Sequence, residues 1–162
     1  MKDKSATFPL KTIISGGQTG ADRAALEVGR SLGYRTGGTV PRGFRTNRGP
    51  DPTLAPFNVT EDRSPEYAPR TIKNVLNADG TVWFGDGRTP GGRLTLATAR
   101  KAGRPLIVNP SPVELRQWIV ENRIETLNVA GDREENDPGI YERVSRILAD
   151  ALGPARKCGP AY

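Results

Sequence analysis

The chain has 162 residues, enough for one domain with its own core. Charged residues make up 26% and hydrophobic ones 35%, and no apolar run approaches the roughly 20 residues of a membrane span. There is no histidine and a single cysteine, Cys158, which excludes an internal disulfide, a Cys/His zinc site and any His-based triad or acid–base pair.

Residues 1–10 read as a loose leader without the apolar stretch of a signal peptide, so a cytoplasmic protein is expected. Thr12 to Ser15 reads as a buried strand. Ala21, Ala24, Ala25, Val28 and Leu32 then recur at helical spacing, and Gly33 ends that helix. Residues 35–40 form a second, weak strand candidate, and residues 41–56 a loop rich in Gly, Pro and Arg. Phe57 to Thr60 is a short strand candidate. Ser64 to Asn77 reads as mainly helical, with regular helix starting near Pro69. Thr81 to Phe84 is a strand, 85–92 a Gly-rich turn, and 93–102 a helix closed by Gly103. Pro105 to Val108 is a strand. Ser111-Pro112-Val113-Glu114 opens the next helix with a capping box and a proline in its first turn. Thr126 to Val129 is the last strand, and Ile140, Val144, Ile147, Leu148 and Leu152 mark a final amphipathic helix stopped by Gly153-Pro154.

Strand and helix alternate almost throughout. The expected fold is therefore α/β: Rossmann-like and doubly wound, with a mostly parallel sheet of about six strands and helices on both faces. Residues 1–162 read as one domain, with 1–10 and 154–162 as loose tails. In such folds ligands sit at the carboxyl ends of the strands. Three glycine-bearing loops follow strands here, SGGQTG, GDGRTPGG and AGDREENDPG, and one site across all three is expected.

SGGQTG can be laid on G-x-G-x-x-G with Ser15 in the place of the first glycine. Its N–H groups would face an anion at a positive helix end. A dinucleotide site also wants an acid about 20 residues on, and none lies between Glu27 and Asp51. Walker A fails too, since no Gly-Lys-Ser/Thr follows. The bland reading is a tight strand–helix turn that binds nothing, and anion binding is the sharper one. The net charge is +6, which permits nucleic acid or an anionic small ligand as partner. No basic-aromatic nucleic-acid motif is present, so nucleic acid is not the expected partner. Arg42, Arg45 and Arg48 either form a solvated basic face or fringe the anion site.

The second loop, TPGGRLTLATA, resembles the P-G-G-x-G-T-x-x-E motif of the lysine-decarboxylase-like (LOG) phosphoribohydrolases. Pro90, Gly91, Gly92 and Thr95 match it. Leu94 stands at the third glycine and Thr98 at the catalytic glutamate. The resemblance implies the fold and a phosphate-binding helix start, without the carboxylate that the hydrolysis requires.

Across residues 12–150 the chain resembles the molybdenum cofactor carrier protein family, within the SLOG superfamily of Rossmann-like nucleotide binders. The matching pieces are Gly16 to Ala25, Gly37-Gly38 with Pro41, Tyr67, Arg70-Thr71, Asn74-Val75 and Asp79-Gly80-Thr81. They continue through Gly91-Gly92 with Leu94-Thr95, Leu127 to Gly131, Arg133-Glu134 and Pro138 to Tyr141. Asp132 stands where the family pattern has Pro, and Ala78 where it has Ser.

The resemblance implies a non-catalytic binding protein for a phosphate-bearing small molecule, with molybdenum cofactor or a nucleotide as bound ligand and homo-oligomeric assembly. The alternatives are a binder or sequesterer of a nucleotide-derived signal and a nucleotide N-glycosidase or phosphohydrolase. The expected ligand-binding residues are Gly16, Gly17, Gln18, Thr19, Gly20, Arg23, Arg42, Asp79, Gly91, Gly92, Leu94, Thr95, Gly131, Arg133 and Glu134. No catalytic or metal-ligating residue is assigned. Asp22 is expected to cap or neutralise the first helix turn.

Overall fold

The computed structural model of the protein describes residues 7–154. In chain order the elements are β1 (Thr12–Ile14), α1 (Ala21–Ser31), β2 (Arg35–Gly37), β3 (Thr39–Val40), β4 (Arg45–Thr46), β5 (Gly49–Pro50) and β6 (Thr60–Glu61). They continue with α2 (Tyr67–Asn77), β7 (Gly80–Phe84), α3 (Pro90–Lys101), β8 (Leu106–Val108), α4 (Pro112–Glu121), β9 (Thr126–Gly131) and α5 (Ile140–Leu152). Five strands form one all-parallel sheet in the order β2-β1-β9-β7-β8. Parallel neighbours need crossover connections, and helices provide them.

Side chains alternate across each strand, which divides the sheet into two unlike faces. Ile13, Val82, Phe84, Leu127 and Val129 join the apolar core beneath α1, α4 and α5. On the other face, under the packed pair α2 and α3, lie Thr81, Trp83 and Asn128, with Asn128 Nδ2 donating to Thr81 Oγ1 at 3.3 Å. This second face is the more polar one, and it carries the cleft described below. Small side chains let α1 lie close to the sheet: Ala21, Ala24 and Ala25 are fully buried.

The strand expected over residues 35–40 splits. Gly38 adopts φ 117, and a Cβ there would fall 2.8 Å from the Ser15 nitrogen. The chain therefore bends beneath Ser15, and β3 pairs with β6 in a separate two-stranded ladder instead of extending the main sheet. The strand expected at Phe57 to Thr60 shifts for a related reason. Pro52–Phe57 is a 3-10 turn whose Leu54 and Phe57 fill a second small core with Leu26 and Val40. Within the arginine-rich loop, β4 and β5 form a short antiparallel hairpin.

The Ser111 cap read from the sequence is present, and a second, Thr89, starts α3 at Pro90, three residues before the expected 93. Thr89 Oγ1 accepts from the Gly92 N–H at 3.1 Å, and Ser111 Oγ from the Glu114 N–H at 3.2 Å. Part of the expected leader is packed: Leu10 is buried and Phe8 lies under the Arg116 guanidinium, 4.2 Å from ring centroid to Cζ. Residues 1–6 and 155–162, with Cys158, lie outside the described residues. Among the described residues no helix is long and apolar enough to cross a membrane.

Candidate functional site

The SGGQTG turn is filled by the protein itself. The buried Asp22 carboxylate folds back from the first turn of α1, where its Oδ2 accepts from the Gln18 N–H at 3.1 Å. The Ala21 N–H donates to the Asp132 carbonyl at 3.3 Å. The glycines are needed because protein atoms press on the turn. A Cβ at Gly16 would fall 2.6 Å from Arg70 Cζ, and one at Gly17, with φ 73, would meet Val40 Cγ1 at 2.7 Å. Gly20 abuts the backbone of Asp132 to Glu134. An internal carboxylate thus occupies the position first expected for a ligand anion.

Asp22 pairs with the Arg70 guanidinium at 3.6 Å, and both side chains are largely buried. Burial pushes the Asp22 carboxyl above the usual aspartate range, while Arg70, the Gln18 N–H and Arg133 act against that rise. Burial also lowers the Arg70 guanidinium, and the nearby positive charge of Arg133 adds to the lowering.

Past this pair opens a cleft of about 350 Å³ at the carboxyl ends of β7 and β9. Tyr67, Ala68, Arg70 and Thr71 of α2 form one wall. Thr89 to Gly91, Leu94 and Thr95 at the start of α3 form another, and Gly131 to Arg133 close the end. Three guanidinium groups gather on the single Tyr67 ring: Arg133 at 4.5 Å, Arg45 at 5.0 Å and Arg70 at 5.8 Å from its centroid. Cation–π attraction helps to hold them there. Among the described residues Arg133 and Arg45 form no ion pair.

The N-terminus of α3 points into the same cleft. Pro90 has no N–H, Gly92 donates to Thr89 Oγ1, and Arg93 donates to the Thr89 carbonyl at 2.9 Å. The Gly91 N–H is the remaining donor at this positive helix end. A Cβ at Gly91 would meet nothing within 4 Å, so the space in front of it is open. Four buried polar atoms on residues lining the cleft have no hydrogen-bond partner among the described residues: Gln18 Oε1, Arg70 Nε, Trp83 Nε1 and Asp132 Oδ1. An unpaired buried polar atom costs about 1–3 kcal/mol, and such costs concentrate where a site is kept ready.

Of the residues expected from the sequence, Gln18, Gly91, Leu94, Thr95, Gly131 and Arg133 line this cleft. Gly92 backs it, wedged 2.9 Å from Trp83 Cζ2 if given a Cβ. Four of the expected residues lie away from this cleft. Asp79 precedes β7, at the amino end of the sheet and opposite the cleft, where its Oδ2 accepts from the Glu125 and Thr126 N–H groups at 3.0 and 2.9 Å. Arg42 is exposed and lines neither this cleft nor the hollow beside the glycine turn. Glu134 caps α5, accepting from the Gly139 and Tyr141 N–H groups at 2.7 and 2.9 Å. Arg23 lies on the other side of the glycine turn, bonded to Glu27 at 2.9 Å and Thr53 at 2.8 Å.

Thr19, Gly20, Arg23, Arg48 and Glu134 border a separate hollow of about 440 Å³. Across it Glu135 ties Arg48 at 2.6 Å to Thr19 at 2.7 Å. Burial works to raise the Glu135 carboxyl, but hydrogen bonds from Thr19 and Asn47 and the charge of Arg48 take it down to about 2. Thr98, at the glutamate position of the LOG motif, spends its hydroxyl on the Leu94 carbonyl at 2.7 Å. The sequence reading did not assign Tyr67, Arg70, Trp83 or Asp132 to the site. Tyr67 and Arg70 had a signal, being part of the matched family pattern.

The sequence pattern of the Circularly permutated YpsA SLOG family matches residues 13–152. Among solved structures, the chain is similar to a protein of Syntrophus aciditrophicus SB named "putative molybdenum carrier protein". The two are 34% identical, with 90% of this chain and 96% of that chain covered and a TM-score of 0.82. No curated protein matches the chain significantly.

Proposed function

We propose, for a chain that belongs to the circularly permutated YpsA SLOG family, that the cleft between α2, α3 and the end of β9 binds a phosphate-bearing small molecule without transforming it. The observation that carries this reading is the concentration of positive charge on one ring. Three guanidiniums share Tyr67, and among the described residues only Asp22, beside Arg70, pairs with any of them. Like charges held this close raise one another's energy, and a bound anion relieves it. The α3 terminus adds a Gly91 N–H and a positive dipole end aimed at the same space. Arginine's planar fork suits phosphate, and each such contact is worth about 1.5–3 kcal/mol.

The phosphate thus sits against Arg133, Arg70 and Gly91 rather than inside the SGGQTG turn. The volume of about 350 Å³ lies within the range of small-molecule sites. Binding without turnover is the better reading because Asp22 is held by Arg70 and Gln18, and Thr98, at the glutamate position of the LOG motif, spends its hydroxyl on the Leu94 carbonyl. The cargo proposed first is molybdenum cofactor, on the strength of the structural neighbour's name and its 34% identity. A homo-oligomeric assembly is proposed on the family resemblance alone.

Native mass spectrometry of the protein as purified, with elemental analysis for molybdenum, tests the cargo. Calorimetry with inorganic phosphate and guanosine monophosphate tests the site. Arg133→Ala is expected to weaken both probes about tenfold to hundredfold, and guanosine monophosphate is expected to release no free base. Equal binding by the wild type and Arg133→Ala removes the assignment.

A further inference from the structure

We propose, resting on the anion-binding reading above, that Asp132 makes the cleft select ligands that carry a hydroxyl or amino hydrogen-bond donor beside their phosphate, and disfavour bare oxyanions. The argument starts from the way this carboxylate is held. Its Oδ2 accepts from the Asp86 N–H at 2.8 Å. Gly85, at φ 117, lets the backbone lie against the carboxylate: a Cβ there would fall 2.5 Å from Asp132 Cγ. The side chain is thereby clamped on one oxygen. The other oxygen, Oδ1, has no partner, although the residue is only 6% exposed and lines the cleft.

Ionised carboxylates only accept hydrogen bonds. Opposite Oδ1 a phosphate oxygen is repelled, and a hydroxyl or an N–H is favoured. Burial raises the Asp132 carboxyl above the usual aspartate range and the negative charges of Asp137 and Asp86 add to the rise, while the Asp86 N–H and the positive charge of Arg143 act against it. Arg143 is itself bonded to Asp137 at 2.6 Å and forms no ion pair with Asp132, so the demand for a donor is that of the ionised form. Trp83 supplies the complementary element. Its indole N–H, also buried and without a partner, lines the same cleft and can only donate. One unpartnered acceptor and one unpartnered donor match a polar organic group, whereas a symmetric oxyanion matches only the donors. The arginines and the α3 terminus hold the phosphate, and Asp132 reads what the phosphate is attached to.

A buried polar group that must be satisfied by the ligand discriminates strongly, since the wrong ligand leaves it unpaired.

The test is calorimetry in 0.15 M salt with three probes: inorganic phosphate, ribose 5-phosphate and guanosine monophosphate. The wild type is expected to bind at least one organic phosphate tenfold or more tighter than inorganic phosphate. Ribose 5-phosphate binding as tightly as the nucleotide assigns the donor to a sugar hydroxyl, and preference for the nucleotide alone assigns it to the base. Asp132→Asn, nearly the same in volume, is expected to bring the organic and inorganic affinities within threefold of each other. Its phosphate affinity is expected to equal or exceed that of the wild type, which also reports an intact fold.

Wild-type protein that binds all three probes alike overturns the proposal, and that comparison needs no variant. An organic preference that persists in Asp132→Asn overturns it too. Arg133→Ala separates the two readings: if it loses phosphate while Asp132→Asn changes nothing, the anion site stands and the selection by Asp132 falls. If no probe binds the wild type, both fall together.

Discussion

Replacing Gly16 by alanine tests whether the glycine turn serves Arg70 rather than a ligand. The new Cβ would lie 2.6 Å from Arg70 Cζ. Relief to ordinary contact moves the guanidinium by about 1 Å or more, away from Asp22, to which it now stands at 3.6 Å. At an effective dielectric of about 20, lengthening that pair to about 5 Å forfeits about 1 kcal/mol of attraction. Losing the pair outright and leaving a buried carboxylate alone sets the upper bound at about 3–5 kcal/mol. The expected loss of stability at pH 7 is therefore about 1–3 kcal/mol, read from urea unfolding.

The pH dependence gives the sharper signature. The folded-state pKa of Asp22 is already raised above its unfolded value of 3.8 by burial, and removing Arg70 raises it further. A raised carboxylate pKa penalises the fold at all pH values above it, and the penalty fades as pH falls through the folded pKa toward 3.8. The deficit of Gly16→Ala is thus expected to shrink in acid, and to be mostly absent in an Asp22→Asn background. A Gly16→Ala protein as stable as the wild type, or a deficit independent of pH and of Asp22, refutes the reasoning.

Gly17→Val is expected to lose about 2 kcal/mol or more of stability, because its φ of 73 and its approach to Val40 both exclude a branched side chain; a thermal melt checks it. Asp79→Ala is expected to cost about 1–3 kcal/mol by leaving two N–H groups without a charged acceptor, with phosphate affinity unchanged. Arg42→Ala is expected to bind phosphate within threefold of the wild type, whereas Arg45→Ala, losing a cation on the Tyr67 ring, is expected to bind less well; calorimetry distinguishes them. Glu135→Gln is expected to lower the melting temperature above pH 4.5. Because the folded-state pKa is lowered to about 2, that difference should be lost as pH falls from 4.5 toward 2.

The alternation of strand and helix made the sheet readable, and Ser111 with Pro112 marked one helix start, whereas the Thr89-Pro90 start of α3 was hidden in what reads as a Gly-rich turn. Gly16 and Gly17 read as glycines that admit a ligand, whereas in the structure Gly16 makes room for Arg70 and Gly17 for Val40 and Leu54. That difference is invisible in sequence, since Arg70 comes from a helix more than 50 residues away and reads locally as an exposed helical charge. Asp79 was legible and misread: it precedes its strand, so chain direction alone puts it at the amino edge. Asp132 looked like a missing proline, and only its clamp by Asp86 and Gly85 shows a carboxylate with one free oxygen.

The placement of β9 has a consequence for synthesis. It is the last strand made, yet it lies between β1 and β7, pairing Thr12 with Thr126 and Gly80 with Leu127. A nascent chain that has not yet reached Thr126 can form β1 with β2 and β7 with β8, but these stay two separate ribbons with open edges facing a gap. The cleft, whose floor includes Ala130 and Gly131, cannot exist until that central strand threads between them. Completion of the sheet, and of the cleft, therefore requires a long-range pairing that only the C-terminal third of the chain supplies.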